Sequence, residues 1–224
     1  MHPGVLGAEH RARWGPATGV AFVVFLVVGL LIQSTPNTNK TPAYILAWYN
    51  VSSHKRQIGI SAILTDIAIV LGIFWFGYLR DRFGRTDLGA RLSPVLLVGA
   101  GIFATGGLIF NGALFALLDE PKHMLPATAQ TLNFLQSDLG AAALTVGISI
   151  LMFAAAFIIL KTRILPIWLA WVSFVLAVVA LAGPIGFFAF LAMGIWILIV
   201  AFLMWRHEEK LPMGGVAELP SRDA

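Results

Sequence analysis

Asp66 is where chemistry in this chain has to be sought first. It stands in Ile63-Leu64-Thr65-Asp66-Ile67-Ala68-Ile69, inside an apolar run long enough to cross a membrane. A carboxyl group at the centre of a membrane helix costs at least about 2.5–3.5 kcal/mol on insertion scales, so it normally faces the bundle interior and a partner. If its helix enters from the outside near Ile58, Asp66 lies about 12 Å below that boundary at 1.5 Å rise per residue. The same count puts Asn111 about 10 Å below the outer end of its helix near Leu118, and Thr145 about 10 Å below Asp138. Three polar residues on three consecutive helices therefore share one level.

The neighbours of these residues support a cluster. Asp138, Ala142, Thr145, Ser149 and Met152 follow one another at helical spacing and form a single stripe. Asp66 shares its face with Gly59 and Ala62, and Asn111 with Ala100, Ala104 and Gly107. Small residues let helix backbones approach, and polar ones then hydrogen-bond across the gap. The pattern predicts a polar cluster of Asp66, Asn111, Thr145 and Ser149 in the outer half of the bundle. Two readings stay open. The cluster is interhelical glue, with Asp66 bonded to Asn111, or it is a proton- or ligand-binding site opening outward beneath Asp138, Asp119 and Glu120. His54-Lys55-Arg56, just before the Asp66 helix, would then either reach lipid headgroups, pair with those mouth acids or meet an anionic substrate.

Other chemistries are poorly supplied. There is no cysteine, which removes disulfides, thiol redox couples and Cys-ligated metals. His2, His10, His54, His123 and His207 all fall outside the apolar runs, so no helix-borne histidine is placed to ligate haem. Gly147-Ile148-Ser149 resembles part of a membrane serine-protease motif, but Leu151 stands where a glycine is wanted and no histidine lies in a helix to act as base. A His-Glu-x-x-His motif, a Walker loop and a metal-binding pair of intramembrane acids are also missing. No cofactor and no metal is expected.

The elements that must position Asp66 are legible as six apolar blocks, at 17–34, 58–79, 92–118, 138–160, 166–183 and 185–205. A bilayer core about 30 Å thick needs roughly 20 apolar residues per crossing. The chain of 224 residues is 58% hydrophobic and 12% charged, against roughly 25% charged in a soluble domain. The fold class is thus all-α: a polytopic bundle of about six transmembrane helices in one membrane domain, 17–205. Residues 1–16 precede it, and 206–224 form a polar tail expected to be mobile. The first block could be a signal peptide behind Arg11 and Arg13, but Leu30-Leu31-Ile32 follows Gly29 where small residues would mark cleavage, so it reads as a helix. Gly183-Pro184-Ile185-Gly186 suits a tight turn between the last two helices.

Charge sets the expected orientation. With the N-terminus inside, the cytoplasmic segments hold 11 of the 15 Lys and Arg residues and the outer loops hold 4: Lys40, Lys55, Arg56 and Lys122. That obeys the positive-inside rule, with Arg80-Asp81-Arg82-Phe83-Gly84-Arg85 its strongest signal. Trp14, Trp168, Trp171 and Trp205 fall near the same inner interface. A pI near 9.8 in this distribution marks membrane orientation, and no nucleic-acid partner is expected. Both termini are expected in the cytoplasm and the chain in the plasma membrane, with the lipid bilayer as its first partner. Of the outer loops, Tyr44, Ile45 and Trp48 share a helical face, so 42–49 either lies in the membrane interface or packs over the helix ends. The loop 119–137 has a later part, from Thr128, able to extend the fourth helix.

Ile164-Leu165-Pro166-Ile167-Trp168-Leu169-Ala170-Trp171, the Gly-Ile-Trp-Ile-Leu-Ile-Val run at 194–200 and Asp66 early in the second helix carry a resemblance. They are similar to a group of bacterial membrane proteins of six to seven helices classed as a domain of unknown function. The resemblance implies the fold and no activity. An acid before the last apolar stretch, common in that group, is missing here, where the chain reads Phe190-Leu191-Ala192-Met193. Two functions fit the residues: a small transporter or transport accessory using Asp66, or a non-catalytic subunit that meets a membrane protein partner or a second copy of itself. A lipid enzyme comes last, for want of a catalytic pair.

Overall fold

The computed structural model describes residues 3–119, 121 and 123–209, and side chains from Trp14 to Arg206 apart from 120, 122 and 184. All regular structure among them is helical. The long helices are α1 (Pro3–Ile32), α3 (Ser52–Phe83), α4 (Asp87–Asp119), α6 (Gly140–Thr162) and α8 (Gly186–Glu209). Two short helices, α2 (Pro42–Asn50) and α5 (Pro126–Phe134), stand in the connections, and α7 (Ile167–Ala180) completes the set. A five-residue π-turn, Leu135–Leu139, joins α5 to α6 in one rod, Pro126–Thr162. Five rods are long and apolar enough to cross a membrane, and the chain is a multi-pass membrane protein.

The five long helices and α7 run alternately up and down and close into a ring. In sequence, α1 packs on α3, α3 on α4, α4 on α6, α6 on α7 and α7 on α8, and α8 returns to α1. The most extensive of these contacts, α4 on α6, depends on missing side chains. A Cβ at Gly99 would stand 2.6 Å from the Leu151 backbone nitrogen, and one at Gly106 would stand 2.6 Å from that of Leu144. Gly147 presses on the Phe103 backbone in the same way. In lipid the helices gain little from burying apolar surface, so this close backbone packing is what holds them.

The two ends of the ring differ. The arginine-rich end, with Arg80, Arg82, Arg85, Arg91 and Arg163, is filled by Trp75, Phe76, Leu79, Phe83, Leu96 and Leu165. Trp14, Trp168, Trp171 and Trp205 point outward there, each more than half exposed, as amphipathic rings do at a membrane interface. The loop-rich end carries a folded cap. α2 begins at Thr41, whose Oγ1 accepts from Tyr44 N, with Pro42 in the first turn where its missing N–H costs nothing. Ile45 and Tyr49 are fully buried against Ile58, Leu114, Leu117 and Ala129, while Tyr44 points out. Of the two placements open for 42–49, packing over the helix ends is the one observed.

The fifth block is shorter than its apolar run, 166–183, suggests. α7 ends at Ala180 after 14 residues, about 21 Å against a core of about 30 Å. The chain then turns through Gly183, at φ +63° in the left-handed region open to glycine, and a 3₁₀ turn leads into α8. This turn is recessed into the ring: a Cβ on Gly186 would touch Thr145 Cγ2 at 3.0 Å. The first helix begins well before residue 17, at Pro3, and the tail from residue 210 lies outside the described residues.

Candidate functional site

The recessed turn leaves space that α7 would otherwise fill. A cavity of about 920 Å³ lies inside the ring at its loop-rich end, within the range of small-molecule sites. All five long helices and α7 contribute to its wall, among them Leu30 of α1, Thr65 of α3, Asn111 of α4, Thr145 of α6, Ala180 of α7 and Phe187 of α8. Phe103 and Phe190 stack at its floor, 6.2 Å between centroids, and Phe22 stands edge-on to Phe103 below them. Gln33, Thr35, Ser137 and Asp138 line its upper part, and no residue of α2 or α5 does.

Asn111 is the polar centre of the wall. It is 2% exposed, and its Nδ2 donates to Asp66 Oδ1 at 2.7 Å and to the Ala62 carbonyl at 3.3 Å. The Ala62 oxygen can only accept, so the amide nitrogen has to face α3 and the amide oxygen has to face away. That oxygen, Oδ1, is buried and accepts no hydrogen bond among the described residues. An unsatisfied buried acceptor of this kind costs about 1–3 kcal/mol. Asp66 itself is half-buried in the seam between α3 and α4 and does not line the cavity; it acts on the cavity only through Asn111.

Of the cluster expected from sequence, the structure brings Asp66 and Asn111 into contact, and Thr145 lines the same cavity as Asn111. Ser149 stands apart from these three. It is buried at 3% exposure but lies off the cavity, one turn deeper, where Gly147 closes on α4 and Leu151 and Met152 are fully buried. The stripe through Asp138 also fails as an unbroken α-helical one, because Asp138 sits in the π-turn.

The mouth charges scatter. Asp138 lines the cavity, exposed, and accepts from Ser137 Oγ at 3.0 Å. Asp119 belongs instead to a shallow surface pocket with Phe115 and Leu118, and Glu120 lies outside the described residues. Lys55 is half-buried and Arg56 exposed; neither lines the cavity or pairs with Asp119 or Asp138. His54 serves α2: its ring stacks on Trp48 at 3.8 Å and its Nδ1 meets the Trp48 carbonyl at 3.1 Å. Among the described residues no group of His, Asp and Glu is arranged to hold a metal.

Several wall residues carry no mark in the sequence. Phe103, Phe187 and Phe190 are apolar residues among apolar residues, and nothing in their spacing separates a cavity floor from a core. Thr65 and Ser137 flank Asp66 and Asp138 directly, and adjacency to those acids is the one usable signal. No family model, no curated protein and no solved structure matches this chain.

Proposed function

We propose that this chain is a small transporter or transport accessory that takes up a mainly apolar small molecule in the cavity beside Asn111. One observation carries the reading: a ring of six helices surrounds a cavity of ligand size whose wall holds a buried amide with an unused acceptor. Interhelical glue alone explains the Asp66–Asn111 bond but not the space next to it. Packing that merely joined helices would close that space, as α4 and α6 do one turn deeper.

The orientation follows from charge. The arginine-rich end is the cytoplasmic one by the positive-inside rule, so both termini are cytoplasmic and the cavity opens to the outer side of the plasma membrane. Asp66 is a positioning residue in this account. Its carboxyl oxygen accepts from the amide nitrogen of Asn111 and fixes that side chain at the cavity wall.

The test is a thermal-unfolding screen of the purified protein in nanodiscs against a panel of small apolar molecules that carry one polar group. A ligand that binds the folded protein raises the midpoint by mass action. Ala142→Trp, on the cavity wall, should abolish that rise while leaving the ligand-free midpoint close to the parent. A panel without effect, or a rise that survives Ala142→Trp, would overturn the reading. A ligand found this way is then followed across proteoliposomes, with Asp66→Asn expected to slow its passage.

A further inference from the structure

We infer that two copies of this chain dock side by side in the membrane through the outer face of α3, with Asp66 meeting the partner's Asp66. This surface lies on the exterior of the ring and is independent of the cavity.

The ring uses only part of Asp66. Its Oδ1 accepts from Asn111 at 2.7 Å. Its Oδ2 takes part in no hydrogen bond among the described residues, and it is not buried. It does not open to the cavity, because Asp66 is absent from the cavity wall. One turn to either side on the same face, Ile63 and Val70 are 55% and 54% exposed, so Oδ2 faces the exterior of the ring. At about 12 Å below the outer boundary that exterior is hydrocarbon. Lipid tails neither donate nor accept, and an acid at such a depth pairs with another protein group.

The residues around Asp66 form a seam for a second helix. Gly59, Ile63, Asp66, Val70, Ile73 and Gly77 follow one another at spacings of 4, 3, 4, 3 and 4, the heptad pattern of helices that coil round each other. Gly77 has no use within the ring: a Cβ there would meet nothing within 4 Å, whereas one at Gly99 or Gly106 would collide with α6. Its missing side chain leaves room for a backbone arriving from outside. On α4, Gly101 and Gly112 are bare in the same way, but Thr105 between them spends its hydroxyl on the Gly101 carbonyl. Only the α3 seam pairs open glycine with an unpartnered polar atom.

A second copy is the occupant that this seam fits. Every copy inserts the same way round, so two α3 helices meet in parallel, each residue at its own depth. A two-fold axis along the seam sets Asp66 against the partner's Asp66 and each apolar residue against its counterpart. One proton held between the facing Oδ2 atoms joins the two carboxyls, as in other paired acids. A single polar layer in an apolar seam also fixes its register.

The chain has no cysteine, so single cysteines read the seam directly. Ile63→Cys, Val70→Cys and Ile73→Cys are oxidised with copper phenanthroline in native membranes of cells that co-express two differently tagged forms. Each should give a dimer carrying both tags, because facing Cα atoms of such a seam fall in the disulfide range of about 4.4–6.8 Å. Ile60→Cys and Ile67→Cys are exposed on the same helix but about 100° round from Gly59 and Asp66, and should give roughly tenfold less. Val70→Trp, at an exposed position, should cut the crosslinking of Ile63→Cys roughly tenfold. Asp66→Leu should cut it roughly fivefold, and Asp66→Asn, whose amide can still pair, less than about twofold. Val70→Trp tests the seam even if Asp66→Leu folds poorly. Equal crosslinking of Ile63→Cys and Ile67→Cys, no dimer with both tags at any seam position, or a dimer indifferent to Val70→Trp or to Asp66→Leu overturns the inference. A crosslink to a different protein overturns it too, and gives the seam to a foreign helix.

Discussion

Two asparagines are buried to the same degree in this protein and are used differently. Asn133, 1% exposed, is closed at both ends: its Oδ1 accepts from the Tyr49 hydroxyl at 2.9 Å and its Nδ2 donates to the Pro36 carbonyl at 3.4 Å. Those bonds join α5, α2 and the segment after α1, and the surroundings are the packed cluster of Ile45, Tyr49, Ile58, Leu114 and Leu117. Asn111, 2% exposed, is closed at one end only and borders a cavity. A polar group satisfied within the protein orders the fold. One left half-satisfied costs stability, and each such group calls for an explanation.

The sharpest way to break this contrast is to dismantle the cap. Tyr49→Ala removes a fully buried ring and should cost about 3–5 kcal/mol, measured by unfolding in mild detergent. Asn133→Ala strands the Tyr49 hydroxyl and should cost about 1–3 kcal/mol. Asn111→Leu should cost less than Asn133→Ala, because it deletes an acceptor that already lacks a partner in the same step as it deletes two donors. Equal losses at 111 and 133 would mean that both asparagines are structural. The smallest effect is one of pH. Burial pushes the Tyr49 phenol up, whereas in the unfolded chain it ionises near pH 10. The folded state then holds the proton that the unfolded state loses, so this contribution is intact below about pH 10 and fades as pH rises beyond it. Tyr49→Phe should remove that part of the alkaline loss, seen in unfolding midpoints between pH 9 and 11.

How much of this is legible in the sequence follows from what helical geometry fixes. A known rise per residue and a known boundary give depth, so the positions of Asp66 and Asn111 along the chain suffice to match them across two helices. Depth alone does not say which side of a helix closes. Ser149 has the right type and spacing, yet lies where glycines bring α4 and α6 into backbone contact. The cavity depends on α7 stopping at Ala180 although the apolar run continues to Gly183, and hydropathy cannot mark that stop. Tyr49 and Asn133 stand in connecting segments without periodicity, so their pairing over a separation of 84 residues leaves no trace in the pattern.

The cavity and its orientation can be tested together because the chain has no cysteine of its own. Single cysteines at Ala142, Thr145 and Ser149 are exposed in intact cells to a membrane-impermeant thiol reagent added outside. Ala142→Cys and Thr145→Cys should be labelled from the outside and Ser149→Cys, one turn deeper, should be protected. Labelling of Thr145→Cys only after the cytoplasmic face is opened, or equal labelling of all three, would contradict the account.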